Sequence, residues 1–463
     1  MESRNDQTRA PNFVVIGAGL AGLSATFELG RSNIPAVCWE ASDDIGGLSR
    51  TIVYHGYRFD IGGHIFGKQS KEIFELWQNL MGNEFINTSY NIGMYFKGKI
   101  FILPLGFGEA RKVIRTIGVT DFFYCLSSLL KRQFIRINDP LTLETHMRNR
   151  FGDRFFEFFF KPYLEKVWGL PCSHLDPEGS TTVSNANIKA IIKSKISRES
   201  NNSAGKWYPR FGAGEIPAAL YKSASNNGII FKSNSKVVGL LRENNRIVKA
   251  VIQTTDAKEI IPVSDIISSI PLKDLVQIIS PELPGDIRAL ADDLKYRSLI
   301  IVNFILNVDR IQFGCINVQD PDLKISRIHC FKKWSLDMVP DPSKSSLECE
   351  FFVSEEDELW QGPDSYVIDL AKKEVVSMGL LTEEDILCSC VVRIPKAYPL
   401  LTSGTKSNVE RILTELEKIE NLKSVGRFGL HRYQSMAEDS LSGLVAARSF
   451  TRRIIPDTPH PIR

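Results

Sequence analysis

Nowhere in the sequence does an apolar run approach the roughly 20 residues that a membrane-crossing helix needs. The best candidate is Asp121–Leu130 (DFFYCLSSLL), flanked by Lys131, Arg132 and Arg136. It is too short to cross, so a buried amphipathic helix is expected there, with a peripheral surface contact as the alternative. The polar opening MESRNDQTRAPN has no apolar core of a signal peptide, and a cytoplasmic location is expected. Charge of one sign is missing too: 57 Lys and Arg stand against 54 Asp and Glu, a net +3 that calls for no nucleic-acid partner. The eight cysteines are scattered without a CxxC pair and read as reduced thiols. Seven histidines lie far apart, none in HExxH or another ligand spacing, so no metal site is expected. There is no Gly-Lys-Ser/Thr phosphate loop, no GxSxG nucleophile elbow and no internal repeat.

What is present is a chain of 463 residues, 43% hydrophobic and 24% charged, enough for two interlocked domains or one large α/β body. Phe13–Ile16 reads as a buried strand, Leu20–Leu29 as a helix and Ala36–Glu40 as a second strand, together a β-α-β unit. At its first turn Gly17, Gly19 and Gly22 spell GAGLAG, and Glu40 closes the second strand 18 residues after Gly22. The first glycine makes the tight turn and the second admits a pyrophosphate. The third lets helix and strand pack closely, while the carboxylate accepts from ribose hydroxyls. This pattern predicts a dinucleotide site.

Further along, helical spacing runs from about Ser70 to Gly82, a hairpin is expected over Met94–Leu103 around Lys97-Gly98, and Gly106–Trp168 is mostly helical. Ser194–Lys206 has the composition of a linker or mobile loop. Short β-like pieces fill Ile229–Pro271. Strands are expected at Tyr296–Val308, Cys349–Val353 and Leu422–Gly426, and helices at Ser365–Met378, Asn408–Ile419 and Asp439–Arg452.

After Glu40 come Asp43, Asp44, Ile45 and then Gly46-Gly47-Leu48-Ser49-Arg50-Thr51, and Tyr57–Phe66 reads YRFDIGGHIF. These blocks resemble the extended FAD signature of the flavin amine oxidase superfamily. The resemblance places Gly46, Gly47, Leu48 and Arg50 in the cofactor cradle and Gly62, Gly63 and His64 against the flavin ring; a packed neutral histidine is the alternative for His64. It continues through Phe159–Gly169 (FFKPYLEKVWG), Lys206–Gly214 (KWYPRFGAG), Ile267–Pro271 (ISSIP) and Gly426–Met436 (GRFGLHRYQSM), where it is nearest to the UDP-galactopyranose mutase-like flavoproteins. It implies an α/β fold: a Rossmann-like FAD-binding domain of residues 1–70, 205–290 and 400–463, interleaved with a mixed helix/sheet substrate domain of 71–204 and 291–399. FAD is expected to be noncovalent, with NAD(P)H a candidate external reductant. Gly426, Arg427, Ser435 and Met436 would form the C-terminal flavin element.

Three activities compete on such a scaffold: mutase-like chemistry on a nucleotide-linked sugar, net oxidation of an amine, porphyrinogen or polyene, and FAD-bound partner binding without catalysis. The first needs cations for a diphosphate. By resemblance, Arg327 falls where the mutases hold one, and Tyr398 and Tyr433 match diphosphate-binding tyrosines. The alternatives are a surface arginine at a strand end and packed tyrosines. His64, Arg327, Tyr398 and Tyr433 are thus the candidate catalytic residues, and Trp168, Arg210, Arg327, Tyr398 and Tyr433 the candidate substrate contacts. A second mutase arginine, expected about fifteen residues beyond Trp168, is absent from Ser180–Asn185, and an acidic residue of the C-terminal element is replaced by Ser435. Arg210 or Lys206 are the candidate substitutes for the arginine; Lys161 and Lys166 are further lysine candidates for an oxidase. The expected partner is a small molecule, a nucleotide sugar first, with the oligomeric state open.

Overall fold

The computed structural model describes residues 13–64, 66, 70–103, 107–138, 141–182 and 206–454. The glycine-rich turn is built into a five-stranded parallel sheet. Its strands lie in the order Leu422–Ser424, Asp265–Ser268, Phe13–Ile16, Ala36–Trp39 and Ile230–Lys232. Three stretches far apart in sequence therefore meet in one sheet. The two central strands (FVVI and AVCW) are buried along their whole length, as continuous apolar runs in a parallel sheet require. The helix Leu20–Arg31 packs on this sheet and against the C-terminal helix Met436–Ile454. A four-stranded sheet, Lys236–Glu243, Arg246–Gln253, Lys258–Pro262 and Ile279–Ser280, accounts for the β-like pieces after residue 229.

The second body is a seven-stranded sheet in the order Ile386–Pro399, Tyr296–Leu306, Ser345–Val353, Arg327–His329, Cys315–Val318, Ile92–Phe96 and Lys99–Leu103. The expected hairpin forms its edge. One face of the central strand, Ile300, Val302, Phe304 and Leu306, buries against Val367, Ala371 and Val375 of the helix Asp364–Ser377. The other face turns towards the nucleotide fold. Helices Phe107–Ile117, Val119–Phe134 and Leu143–Phe151, and a run from Asp153 to Trp168 with a π-helical turn at Phe156–Phe160, cover one end. Phe151, Phe156, Phe159 and Phe160 fill the core there, which explains the Phe density of the segment.

The helix Val119–Phe134 departs from expectation. Its buried side carries Cys125, while Phe123, Leu126 and Leu130 are exposed, so it is not the buried amphipathic helix its composition suggests. The linker-like Ser194–Lys206 lies outside the described residues except for Lys206, which opens the strand Lys206–Pro209. All eight cysteines are unpaired.

Candidate active site

The turn after the first strand has the geometry its glycines predict. Gly17 has φ +91°, and a Cβ on Gly22 would lie 2.0 Å from the Gly17 carbonyl oxygen. A Cβ on Gly19 would meet nothing within 4 Å, so the space in front of the helix N-terminus is open. The Ala18 N–H donates to Glu40 Oε2 (2.7 Å), and Ser42 N–H and hydroxyl donate to Oε1 (both 2.9 Å), which fixes the carboxylate at the turn. The second glycine pair lies directly on the first: Gly46 N–H donates to the Ala18 carbonyl (2.7 Å), and a Cβ on Gly47 would sit 3.2 Å from Gly19 Cα. Leu48 packs on the helical core, and Arg50 pairs with Asp44 at 3.1 Å.

From the C-terminal element, Gly426 (φ +78°) lies where a Cβ would approach Ala21 Cβ to 2.8 Å. The Arg427 N–H donates to Asp439 (2.7 Å), and its guanidinium donates to the Gln434 carbonyl (Nε 3.1 Å). Ser435 and Glu438 exchange hydrogen bonds across the first turn of the last helix, and Met436 is buried there. This reciprocal pair is a capping box, so Ser435 has a local structural task.

The inward face of the seven-stranded sheet carries a polar array. Strand register places Ile301, Glu350, Arg327, Asn317 and Met94 in one row, and Cys390, Asn303, Glu348, His329 and Cys315 in the next. Arg327 Nε lies 2.5 Å from Glu350 Oε2, and His329 Nε2 lies 3.3 Å from Glu350 Oε1. Glu348, Glu350 and His329 are buried, with ligand-type atoms within 4.8 Å of one another. Burial raises the Glu350 carboxyl, but Arg327 and His329 outweigh it and hold it below the ordinary carboxylate range. Burial, opposed by His329 but reinforced by Glu350 and Asp60, pushes the Glu348 carboxyl well above the ordinary carboxylate range. His329 is raised despite its burial, by Cys315 and Glu350 beside it.

Gly62 and Gly63 bring the loop of the third sequence block onto this array. A Cβ on Gly62 would lie 2.9 Å from Glu350 Oε1, and one on Gly63 would lie 2.4 Å from His329 Cε1. Side chains are excluded at both positions by the acid and the histidine. His64 follows; burial, then the adjacent Arg427, lowers its pKa to about 4, so it is neutral at pH 7. Beneath the same loop, Asp60 accepts from Thr51 Oγ1 (2.6 Å), Ala213 N–H (2.9 Å) and the Tyr208 hydroxyl, and burial raises it to about 6.

The aromatic candidates close the site. Arg327 Nη2 donates to the Tyr398 hydroxyl at 3.0 Å. Tyr398 and Tyr433 stack at 5.9 Å, 12° from parallel, and the Arg427 guanidinium lies 5.3 Å and 5.1 Å from their ring centres. Trp168 meets the Tyr398 ring edge-on at 6.5 Å while its Nε1–H donates to the Gly179 carbonyl (3.1 Å).

His64, Arg327, Tyr398, Tyr433, Arg427 and Trp168, widely spaced in sequence, thus form one neighbourhood. Arg327 is a half-buried strand residue on the inward face, its side chain 12% exposed, and not a surface arginine. Arg210 stands apart, partly exposed and paired with Glu84 (2.9 Å) and Asp337 (3.5 Å). Lys206 donates to the Tyr90 carbonyl (2.8 Å), and Lys166 donates to the carbonyls of Asp320, Leu323 and Ile325. Lys161 lies 3.6 Å from Glu157. Each of these cations is thereby engaged locally. Of the segment lacking the second arginine, residues 183–185 lie outside the described residues. Sequence reading missed Asp60, His329, Glu348 and Glu350.

Comparison with known proteins agrees with this geometry. Residues 15–80 match the model of the NAD(P)-binding Rossmann-like domain. Over 183 residues the chain is 25% identical to UDP-galactopyranose mutase of Mycoplasma pneumoniae, covering 36% of this chain and 42% of that one. Over 419 residues it is 23% identical to phytoene desaturase of Cercospora nicotianae, covering 82% and 62%. In both cases the match spans less than two thirds of the relative's length. A crystal structure of reduced UDP-galactopyranose mutase superposes with a TM-score of 0.80 at 20% identity, covering 96% of this chain and 94% of that one. The chain therefore carries an NAD(P)-binding Rossmann-like domain within the fold of UDP-galactopyranose mutase.

Proposed function

We propose that the protein is an FAD-dependent enzyme that acts on a nucleotide-activated sugar by mutase-like chemistry. The cradle fits the cofactor: the open space before Gly19 would take a pyrophosphate, Glu40 is fixed for a ribose, and Gly46–Leu48, Arg50, Gly62–His64 and Gly426–Met436 would hold the rest without a covalent bond. Bound in its reduced form, FAD supplies a nucleophile for the anomeric carbon, with no net redox change, and NAD(P)H would serve as external reductant.

The observation that carries the reading is the array of Arg327, Tyr398, Tyr433 and Arg427, two guanidiniums and two phenols on one stacked pair. Such a set orients a diphosphate leaving group by charge-assisted hydrogen bonds. Neutral His64 keeps one ring nitrogen as acceptor, and the raised Glu348 carboxyl resists adding negative charge beneath the site.

A second reading, an FAD-dependent oxidoreductase that removes hydride from a small molecule, is favoured by the ion pair at Arg327. Glu350 already neutralises that guanidinium, which weakens its attraction for a diphosphate. The match to phytoene desaturase, over most of this chain, points the same way.

The deciding experiment incubates the prereduced protein anaerobically with a panel of nucleotide sugars and separates the products. An isomerised sugar formed over many turnovers per reduction is the expected result. A substrate that itself bleaches the oxidised flavin without air overturns the mutase reading in favour of the oxidoreductase.

A further inference from the structure

The helix Val119–Phe134 turns an apolar stripe outwards. Val119, Phe123, Leu126, Leu130 and Phe134 follow one another at spacings of 4, 3, 4 and 4 residues, one face of a helix. They are 60, 61, 43, 53 and 86% exposed, and Ile135 just beyond the helix is exposed as well. A continuous apolar strip about 22 Å long, at 1.5 Å per residue, is not what a solvated face carries. The opposite side of the helix is already occupied, with Cys125 buried and Phe122 packed on the core of Leu143, Met147 and Phe151.

The charge beside the strip is of one sign. Residues 107–138 contain six Lys and Arg against two Asp and Glu, a surplus of four that exceeds the +3 of the entire chain. Arg111, Arg115, Lys131 and Arg136 are exposed and enter no ion pair among the described residues. The acid on the helix, Asp121, is taken by Arg154 at 2.9 Å. Pairing two copies through this face would set cation against cation, whereas an anionic surface complements both the stripe and its rim. No single helix among the described residues is long and apolar enough to cross a bilayer; Arg111–Ile117 and Val119–Phe134 reach that length and apolarity only together, across a 110° bend.

We propose that the helix Val119–Phe134 seats this protein on an anionic lipid surface, its stripe in the acyl boundary and its cations among the headgroups. The inner side of the helix joins the core against which Leu48, Tyr398 and Tyr433 pack, so docking holds the candidate site close to that surface. The proposal is independent of which reaction the site performs.

The test is cosedimentation of the purified, flavin-loaded protein with vesicles of phosphatidylcholine alone and of phosphatidylcholine with one quarter phosphatidylglycerol. Binding to the second at least tenfold tighter than to the first, and weakened by salt, is expected. The triple variant Phe123→Ser, Leu130→Ser, Phe134→Ser should lose binding at least tenfold with flavin content and circular dichroism unchanged, because all three side chains are exposed. Lys131→Glu with Arg136→Glu should lose the preference for the anionic lipid. Wild-type protein that stays in the supernatant, binds both vesicles equally, or binds as well after the triple substitution overturns the proposal. So does a dimer in light scattering that the triple substitution dissolves, which would make the stripe an interface between copies.

Discussion

A carboxylate as deeply buried as Glu350 stays ionised only with cations against it, and Arg327 and His329 supply them. Removing one partner of such a pair leaves an uncompensated buried charge, at a cost of about 3–5 kcal/mol. Arg327→Ala is therefore expected to destabilise the fold by about that amount in denaturant unfolding, and Arg327→Ala with Glu350→Ala together to recover most of it. If the double substitution is as unstable as the sum of the singles, the pair does not carry the coupling. Glu348 is the contrasting case, since burial raises its carboxyl and favours the neutral form. Glu348→Gln should cost less than about 1 kcal/mol, whereas Glu350→Gln should cost as much as losing Arg327. The pH dependence has a definite sign. A carboxyl raised on folding stabilises below its unfolded pKa of about 4.3 and loses that contribution as pH rises through the folded value. His329, also raised, contributes fully below about 6.5 and likewise loses its share on the alkaline side. Wild-type stability should decline towards alkaline pH, and Glu348→Gln should make that decline shallower. An unchanged slope would show that Glu348 does not carry the proton.

Among the elements, the last helix is tightly constrained by a single residue. A Cβ on Gly443 would lie 2.0 Å from the Ala21 carbonyl oxygen and 3.0 Å from Ala25 N, both backbone atoms of the first helix. Neither can turn aside as a side chain would. Gly443→Ala should thus destabilise by about 1–3 kcal/mol although alanine is the better helix former, and it should weaken flavin retention because the same helix begins at Ser435–Met436. A melting temperature equal to that of wild type would disprove the close crossing. That contact illustrates what was and was not legible in the sequence. GAGLAG announces its turn through local spacing, but Gly443 needs its partner helix, more than 400 residues away, before it means anything. The strand expected at Cys349–Val353 begins instead at Ser345. Its start was missed because Glu348 reads as polar, although Leu347-Glu348-Cys349-Glu350-Phe351 alternates with period two, the mark of a strand with one polar face. Once that strand is placed, Arg327-Ile328-His329 pairs with it and the buried array follows from register. Composition likewise pointed to a buried amphipathic helix at Asp121–Leu130, but only packing reveals that Phe123, Leu126 and Leu130 lie outside.

At the scale of the whole molecule, the proposed cofactor cradle draws on both ends of the chain. Gly47 lies on Gly19, Gly426 and Gly443 of the C-terminal part lie on Ala21 of the first helix, and the strand Asp265–Ser268 pairs with the first strand and places Ser269 against Gly17. Resemblance blocks made the sequence-distant parts visible early. The apolar strand runs fixed the parallel sheet, whereas the acid–base face of the other sheet depends on three-dimensional pairing alone. Because binding spans these segments, FAD should act as a staple, stabilising by about 2.7 kcal/mol when free cofactor is at a hundred times its Kd. Gly19 isolates this contribution from folding. Its backbone (φ −71°, ψ 176°) is open to any residue, and a Cβ there meets nothing within 4 Å. Gly19→Val should therefore fold, melt like the flavin-free wild type and show no rise in melting temperature on adding FAD, its side chain standing where the pyrophosphate would lie. Gly22→Val should instead fail to fold stably, since its Cβ would collide with the Gly17 carbonyl. A yellow Gly19→Val protein with stoichiometric FAD would move the cofactor away from this turn, and with it every role assigned to Gly62–His64 and the Arg327–Tyr398 array.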